Sequence, residues 1–544
     1  MTPARSPWAA AAALSILLSI LHTWPLATAP GTLSRNDNGD AQLNEWILAW
    51  VAHQLPRAPA QLFEANIFYP AHDVLAFSEP LIVPALIGAP LAWLGVSPVL
   101  VFNLMMMAGY ALTAFAGFAV LYRWTGNWTA GMLAGSTFAF NTHTLTRLPH
   151  VQGLHIYGLP LALAAADALL VHARIRDALW LALWMTVLAY TSGYLVVFAA
   201  VMIGVAVVVR AADWYPNAAR VVGAFVTAAA ISVLAILPLW IPYRRVAREQ
   251  HMVRSLEIVN EYSATLKGYL ASAGTLHIST WSARFFKDPV DSFFPGFVVI
   301  ALTLAAIRVA LGPQSDRLMR RRVMMLVAIA ASGFVLSLGT HTPVYGWVYA
   351  VFPPMQGLRA AARFGNLFLL GLSLLAGLGL AAWQARQARA RWAGPLTAAL
   401  LVAANLEAVR APFEYRRFEG IPAVYDLLAD VPGRVVLAEV PFYPHQAVFE
   451  NAEYVLNSTR HWRPLMNGYS GYIPDSYNKY AASFWYFPEE RAIKAMHEAG
   501  VTHVMVHPLR FGHEADDVIR QISARTDFEL VAISRGIRLY RLQP

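Results

Sequence analysis

Residues 178–209 read ALWLALWMTVLAYTSGYLVVFAAVMIGVAVVV, without a single charged side chain. The hydrocarbon core of a bilayer is about 30 Å thick, so a helix crosses it with about 20 apolar residues. This run is longer than one crossing. Thr191-Ser192-Gly193, near its middle, predicts a break into two shorter helices. Working outward, further apolar runs lie at 8–29, 80–95, 98–121, 127–142, 153–172, 219–241, 293–311, 323–340, 364–383 and 393–410. The 80–95 run is short and holds Pro84 and Pro90. Together they predict about eleven to thirteen transmembrane helices.

Composition agrees. Of 544 residues, 57% are hydrophobic and 13% charged, against about 25% charged in soluble globular chains. The net charge of +9 would suit nucleic acid. Its Arg and Lys residues, however, cluster in short gaps between apolar runs, as they do in cytoplasmic membrane loops. No nucleic-acid partner is expected. The chain has no cysteine, which excludes disulfides and thiolate metal sites. The stretch from Trp8 to about Ala29 follows a single Arg5, and its apolar core is long for a signal peptide. It reads as an uncleaved first membrane helix.

Arginine placement predicts orientation. Arg308, Arg317, Arg320, Arg321 and Arg322 mark one cytoplasmic loop, Arg386, Arg389 and Arg391 another, and Arg210 with Arg220 a third. With Arg5 also inside, 31–79, 242–292 and everything beyond about Arg410 fall outside. One conflict stands between 80 and 209: Arg123, Arg174 and Arg176 share the inner side only if one candidate span there does not cross. Beyond 410 charged residues return. Strand-like runs occur at Arg434–Glu439, Thr502–Val506, Glu529–Ile533 and Ile537–Leu542, with Arg535-Gly536 as a hairpin turn. Helical patterns fall at Val424–Leu428 and Glu489–Glu498. The expected fold is therefore an all-α polytopic membrane domain, 1–410, followed by a small extracytoplasmic α/β domain, 411–544.

Asn36-Asp37-Asn38-Gly39-Asp40 is an acidic turn just after the first span. It opens a helical pattern in which Leu43, Trp46, Ile47, Trp50, Val51 and Leu55 share a face, as expected of a helix lying in the membrane interface. Glu79 precedes Pro80 at the next apolar run. Asp40 and Glu79 thus both sit at a membrane–water boundary, where a carboxylate meets a reactant with a lipid tail. The plainer roles are helix capping for Asp40 and helix-terminal charge for Glu79.

In this order the segments Gly39-Asp40-Ala41-Gln42-Leu43-Asn44-Glu45-Trp46, Asn66-Ile67-Phe68-Tyr69-Pro70, His150-Val151-Gln152-Gly153-Leu154-His155, Phe294-Pro295-Gly296, Arg359 to Arg363 and Asn467-Gly468-Tyr469-Ser470-Gly471-Tyr472 resemble the GT-C superfamily of membrane glycosyltransferases, and within it a largely uncharacterised bacterial branch. The resemblance implies a polyprenyl-phosphate-linked sugar as donor, membrane lipids around it, and a glycan, lipid or protein acceptor. It implies a catalytic base at Asp40, or less directly Asp37. It further implies that Glu79 binds a divalent metal with Asp40 or orients the lipid phosphate. The first loop lacks the adjacent acidic pair of the family, which weakens the metal.

Transfer from a lipid phosphate to a hydroxyl is displacement at the anomeric carbon, and one direct displacement inverts it. A carboxylate takes the acceptor proton, and cations receive the leaving phosphate. Candidate cations are Arg359 and Arg363, four apart and on one face if that segment is helical. Next come Arg244, then Arg245, Arg248 and Arg254. Headgroup anchoring is the alternative for Arg359 and Arg363. His150 and His155, beside Arg147, are candidate supporting residues, and Glu257 and Glu261 candidate second acids. The aromatics His461-Trp462-Arg463, Tyr469, Tyr472, Tyr477 and Tyr480 suit sugar stacking or a packed core, and the core reading is preferred. The expected activity is an inverting transferase in the cytoplasmic membrane, serving the cell envelope. The rival reading is a transporter or lipid-linked glycan carrier, which should place ionisable residues near mid-bilayer.

Overall fold

The computed structural model describes residues 6–250, 253–286, 291–313, 315–387 and 389–543. Arg5 lies outside the described residues. The chain forms two compact units, one of 1–29, 104–239 and 252–414, the other of 30–103, 240–251 and 415–544. The boundary expected at 410 therefore separates only part of the second unit, because the first outer loop folds with the C-terminal residues.

The first unit is helical. Four helical segments, Pro98–Thr125, Val151–His172, Ala211–Glu249 and Ala361–Arg386, are long and apolar enough to cross a membrane among the described residues. Shorter apolar helices include Pro7–His22, Gly193–Val209, Phe297–Leu311 and Ala393–Ala408. Gly365–Arg386 runs through the core, packed on Phe297–Leu311, Arg317–Ser337 and Trp128–Ala139. Small residues permit that approach: a Cβ on Gly379 would collide with the Leu302 carbonyl, and one on Gly135 with that of Ala114. Close backbone contact of this kind replaces the hydrophobic drive that lipid removes.

The break predicted at 191–193 is present. One helix ends at Thr191 and the next begins at Gly193. Ser192 is extended between them, and its hydroxyl accepts from the Tyr194 N–H at 3.2 Å.

The run at 80–95 departs from the expected spans. Its helix, Ile82–Trp93, has 12 residues, about 18 Å of rise, too short to span. It belongs to the second unit and packs on Gly39–Gln54, where the Trp93 indole donates to the Ala52 carbonyl at 2.9 Å. In the helical unit one group of basic residues is tied to buried acids. Asp167 accepts from Arg322 at 2.8 Å and from the buried Arg210, which also binds Asp213 at 2.6 Å. Arg321 pairs with Asp213, and Arg322 lies 4.6 Å over Trp124.

The second unit holds a four-stranded sheet in the order Leu437–Val440, His503–Val506, Ile537–Leu542, Phe528–Ser534, its first pair parallel and the others antiparallel. Arg535 and Gly536 both take positive φ, 49° and 79°, in the expected hairpin turn, as a tight primed turn requires. Glu490–Glu498 is helical as expected, whereas Ala423–Leu428 is a run of 3₁₀ turns. The first-loop segment joins this domain: Tyr69 N–H donates to the Leu465 carbonyl at 3.0 Å, and Leu465 N–H to the Asn66 carbonyl at 2.7 Å.

The helix Gly39–Gln54 corrects one expectation. It does not lie in a membrane interface but is buried on nearly every side within this unit, with Asn44, Glu45, Trp46, Ile47 and Trp50 all enclosed. Both indoles are bonded internally, Trp46 to the Asn66 side chain at 3.2 Å and Trp50 to the Leu62 carbonyl at 2.8 Å. Its indole N–H groups are matched by protein partners rather than by water.

Candidate functional site

In the second unit the first-loop helix begins at Gly39, capped by Asn38, whose side chain accepts from the Asp40 N–H at 2.9 Å. Asp40 is therefore not the cap. It stands in the first turn, where the helix dipole favours a carboxylate. Gly39 makes this possible: a Cβ there would lie 3.3 Å from both Ala452 and the Tyr469 ring. The resulting approach brings the Tyr469 hydroxyl to Asp40 Oδ1 at 2.7 Å. Asp37, in contrast, is exposed and engaged by Arg35 at 3.2 Å.

Two acids of this loop escaped the sequence reading. Glu45 is fully buried, with the Asn36 amide, its NH2 turned inward, donating to both carboxylate oxygens at 2.8 and 3.0 Å. Burial pushes its carboxyl well above the ordinary 4.5. Asp73 is buried and bound by Arg245 at 2.9 Å. Burial raises its carboxyl too, against the opposing pull of Arg245. Arg245 is thus committed to an acid, and Arg244 lies exposed, 4.8 Å over Trp240. Glu79 is half-buried beside Ser78, whose carbonyl accepts from the Tyr243 hydroxyl at 2.5 Å. Tyr472 packs on Phe77, ring centroids 5.6 Å apart, so two aromatics of the 467–472 motif hold the first loop. Tyr477 is buried in the core.

In the helical unit a narrow cleft of about 30 Å³ is lined by His143, Arg147, His150, Gln152, Tyr194, Arg363 and Asn366 among others. A water-sized space admits a phosphoryl oxygen but not a sugar ring. The helix break supplies its keystone. The Tyr194 hydroxyl accepts from the N–H groups of Arg359 and Ala360 at 3.0 and 3.1 Å, and the Arg363 guanidinium lies 4.5 Å over its ring. Asn366 donates to the Arg363 carbonyl at 3.0 Å. His143 is buried against Phe293, centroids 4.5 Å apart. No carboxylate among the described residues forms an ion pair with Arg363.

Of the predicted residues, Arg363 and His150 come together here. Arg359 does not join them. Ala361–Phe364 is a 3₁₀ turn entered through a non-helical Ala360, so Arg359 lies outside the turn that holds Arg363, 5.2 Å over Tyr262. His155 is buried, its Nε2 within 2.8 Å of the Met105 carbonyl. His143, Tyr194 and Asn366 were missed, because residues so far apart in the chain carry no local spacing. Among the described residues no group of three or more His, Asp or Glu side chains is placed to hold a metal ion.

No protein-family profile matches the chain, and no curated protein matches it in sequence. Solved structures do match in fold. The arabinofuranosyltransferase AftD from Mycobacteria superposes with a TM-score of 0.61 at 17% identity, covering 100% of this chain and 40% of its own. The apo form of the Archaeoglobus fulgidus oligosaccharyltransferase superposes with a TM-score of 0.50 at 14% identity, covering 92% of this chain and 69% of its own. The chain thus spans about two fifths of the AftD chain it matches. The protein is a multi-pass membrane protein with the fold of the GT-C glycosyltransferases.

Proposed function

We propose that the protein is an inverting glycosyltransferase that moves a sugar from a polyprenyl phosphate to a cell-envelope acceptor. The reaction takes place at the outer face of the cytoplasmic membrane. The likeness of fold along the whole chain is the observation that carries this reading. Asp40 is the base. Its carboxylate is oriented by Tyr469 and stands in the first turn of a helix. It removes the proton of the acceptor hydroxyl as that oxygen attacks the anomeric carbon. The C–O bond to phosphate breaks with its electron pair leaving on the phosphate. Arg363, with the polar side chains of its cleft, stabilises that charge.

Glu79 supports a metal or the lipid phosphate. A divalent metal, if bound by Asp40 and Glu79, would add charge neutralisation at the phosphate; no step here is routed through it. The acceptor is a glycan, lipid or protein of the envelope.

The test is sugar release from a panel of polyprenyl-phosphate sugars by the purified protein in nanodiscs. The wild type should release sugar. Asp40→Asn should be slower by about 10²–10⁴-fold, the usual weight of a general base, and Asp37→Asn should keep most activity. Equal turnover by wild type and Asp40→Asn would remove Asp40 from the mechanism.

A further inference from the structure

At the basic end of the helical unit lies a second cavity, distinct from the cleft at Arg363. It is an apolar crevice of about 980 Å³, at the upper end of the range for ligand cavities, about 300–1,000 Å³. Its walls are faces of membrane-spanning helices, among them Leu112, Phe115, Leu161, Val171 and Trp180, and its rim carries Arg123, Arg176 and His172. The helix Ile175–Thr191 joins the two sites: Arg176 and Asp177 line the crevice near its start, and Ser192, just past its end, lines the Arg363 cleft. Its 17 residues rise about 25 Å, so the two sites are near opposite faces of the bilayer.

The charges at the rim are unequal. Arg322 and Asp167 are spent on each other and on Arg210. Arg176 has Asp177 at 3.5 Å. Arg123 is exposed, its guanidinium 5.4 Å from the Trp8 ring, and it forms no ion pair with a described carboxylate. An apolar trough in a membrane wall, ending at an arginine no acid neutralises, matches one ligand: acyl chains below and an anionic phosphate above. Basic pockets between membrane helices hold anionic headgroups in this way.

We infer that this crevice binds an anionic phospholipid of the leaflet opposite the Arg363 cleft, its acyl chains along Phe115, Leu161 and Trp180 and its phosphate on Arg123. A zwitterionic lipid fills the same trough but gains less from the single cation.

The experiment is native mass spectrometry of the detergent-purified full chain, titrated with phosphatidylglycerol or phosphatidylcholine of identical acyl chains. Phosphatidylglycerol should bind about fivefold more tightly, the weight of one basic residue at a membrane surface. Arg123→Gln should abolish that preference while total lipid bound persists. Ala168→Trp, which fills the trough and leaves Arg123 in place, should lower binding of both lipids, and a retained melting temperature would show each variant folded. Equal affinity for the two lipids in the wild type, or a preference unchanged in Arg123→Gln, would overturn the assignment. Undiminished binding by Ala168→Trp would place the lipid elsewhere.

Discussion

The two ends of the helical unit are both rich in arginine, and they use it in opposite ways. At one end Arg210, Arg321 and Arg322 are locked to Asp167 and Asp213. At the other, Arg363 lies over a neutral Tyr194 ring in a cleft with histidines. A cation already matched by an acid has little field left for a ligand. One that rests on an aromatic face keeps its charge available for an incoming phosphate. Counting arginines therefore locates membrane loops, but only their pairing separates brace from site.

The strongest way to break this contrast is through stability. Arg210→Met leaves two buried carboxylates short of a partner and should cost about 3–5 kcal/mol, read as a lower melting temperature in detergent. Arg363→Met should change stability by less than about 1 kcal/mol. If both variants melt alike, the brace and the cleft are not different in kind.

A smaller effect sharpens the cleft itself. Tyr194→Phe removes the oxygen that accepts the Arg359 and Ala360 N–H groups and should cost about 1–3 kcal/mol for the unpaired donors. Because the ring under Arg363 remains, affinity for polyprenyl phosphate should fall less than in Arg363→Met. A larger fall would make the hydroxyl, not the guanidinium, the principal contact.

Much of this was legible in advance, and the failures have physical causes. Apolar run length found the four long apolar helices of the described residues because lipid demands such length of each helix separately. It failed at 80–95, where an apolar helix meets its demand by packing on Gly39–Gln54 instead. The break at Ser192 was readable from Thr-Ser-Gly, but not that it would deliver Tyr194 to the segment 359–363. Arg359 and Arg363 were paired by helical spacing that a 3₁₀ turn does not obey. Asp40 stood out from its local pattern. Its partner Tyr469 did not, since the two are 429 residues apart and only tertiary packing at Gly39 joins them. The burial of Glu45 was not readable, because sequence cannot show which side of a helix is covered.

The smallest expected effect concerns Glu45. Its folded carboxyl is raised by burial, so the folded state holds the proton more tightly than the unfolded chain. Its stabilising contribution is complete below the ordinary carboxyl range and is lost as pH rises through the raised value. Glu45→Gln should remove this dependence, gaining on the wild type as pH increases in urea or thermal melts. A wild type whose advantage over the variant grows with pH would contradict the burial argument.

The most direct measurement is the affinity of the purified protein for a polyprenyl phosphate without sugar. Wild type and Asp40→Asn should bind it equally, since the role proposed for Asp40 is toward the acceptor. Arg363→Met should bind about 10–100-fold more weakly, the loss of a charge-assisted contact. Binding by Arg363→Met at the wild-type level would contradict the account, because the phosphate would then be held somewhere other than the unneutralised arginine.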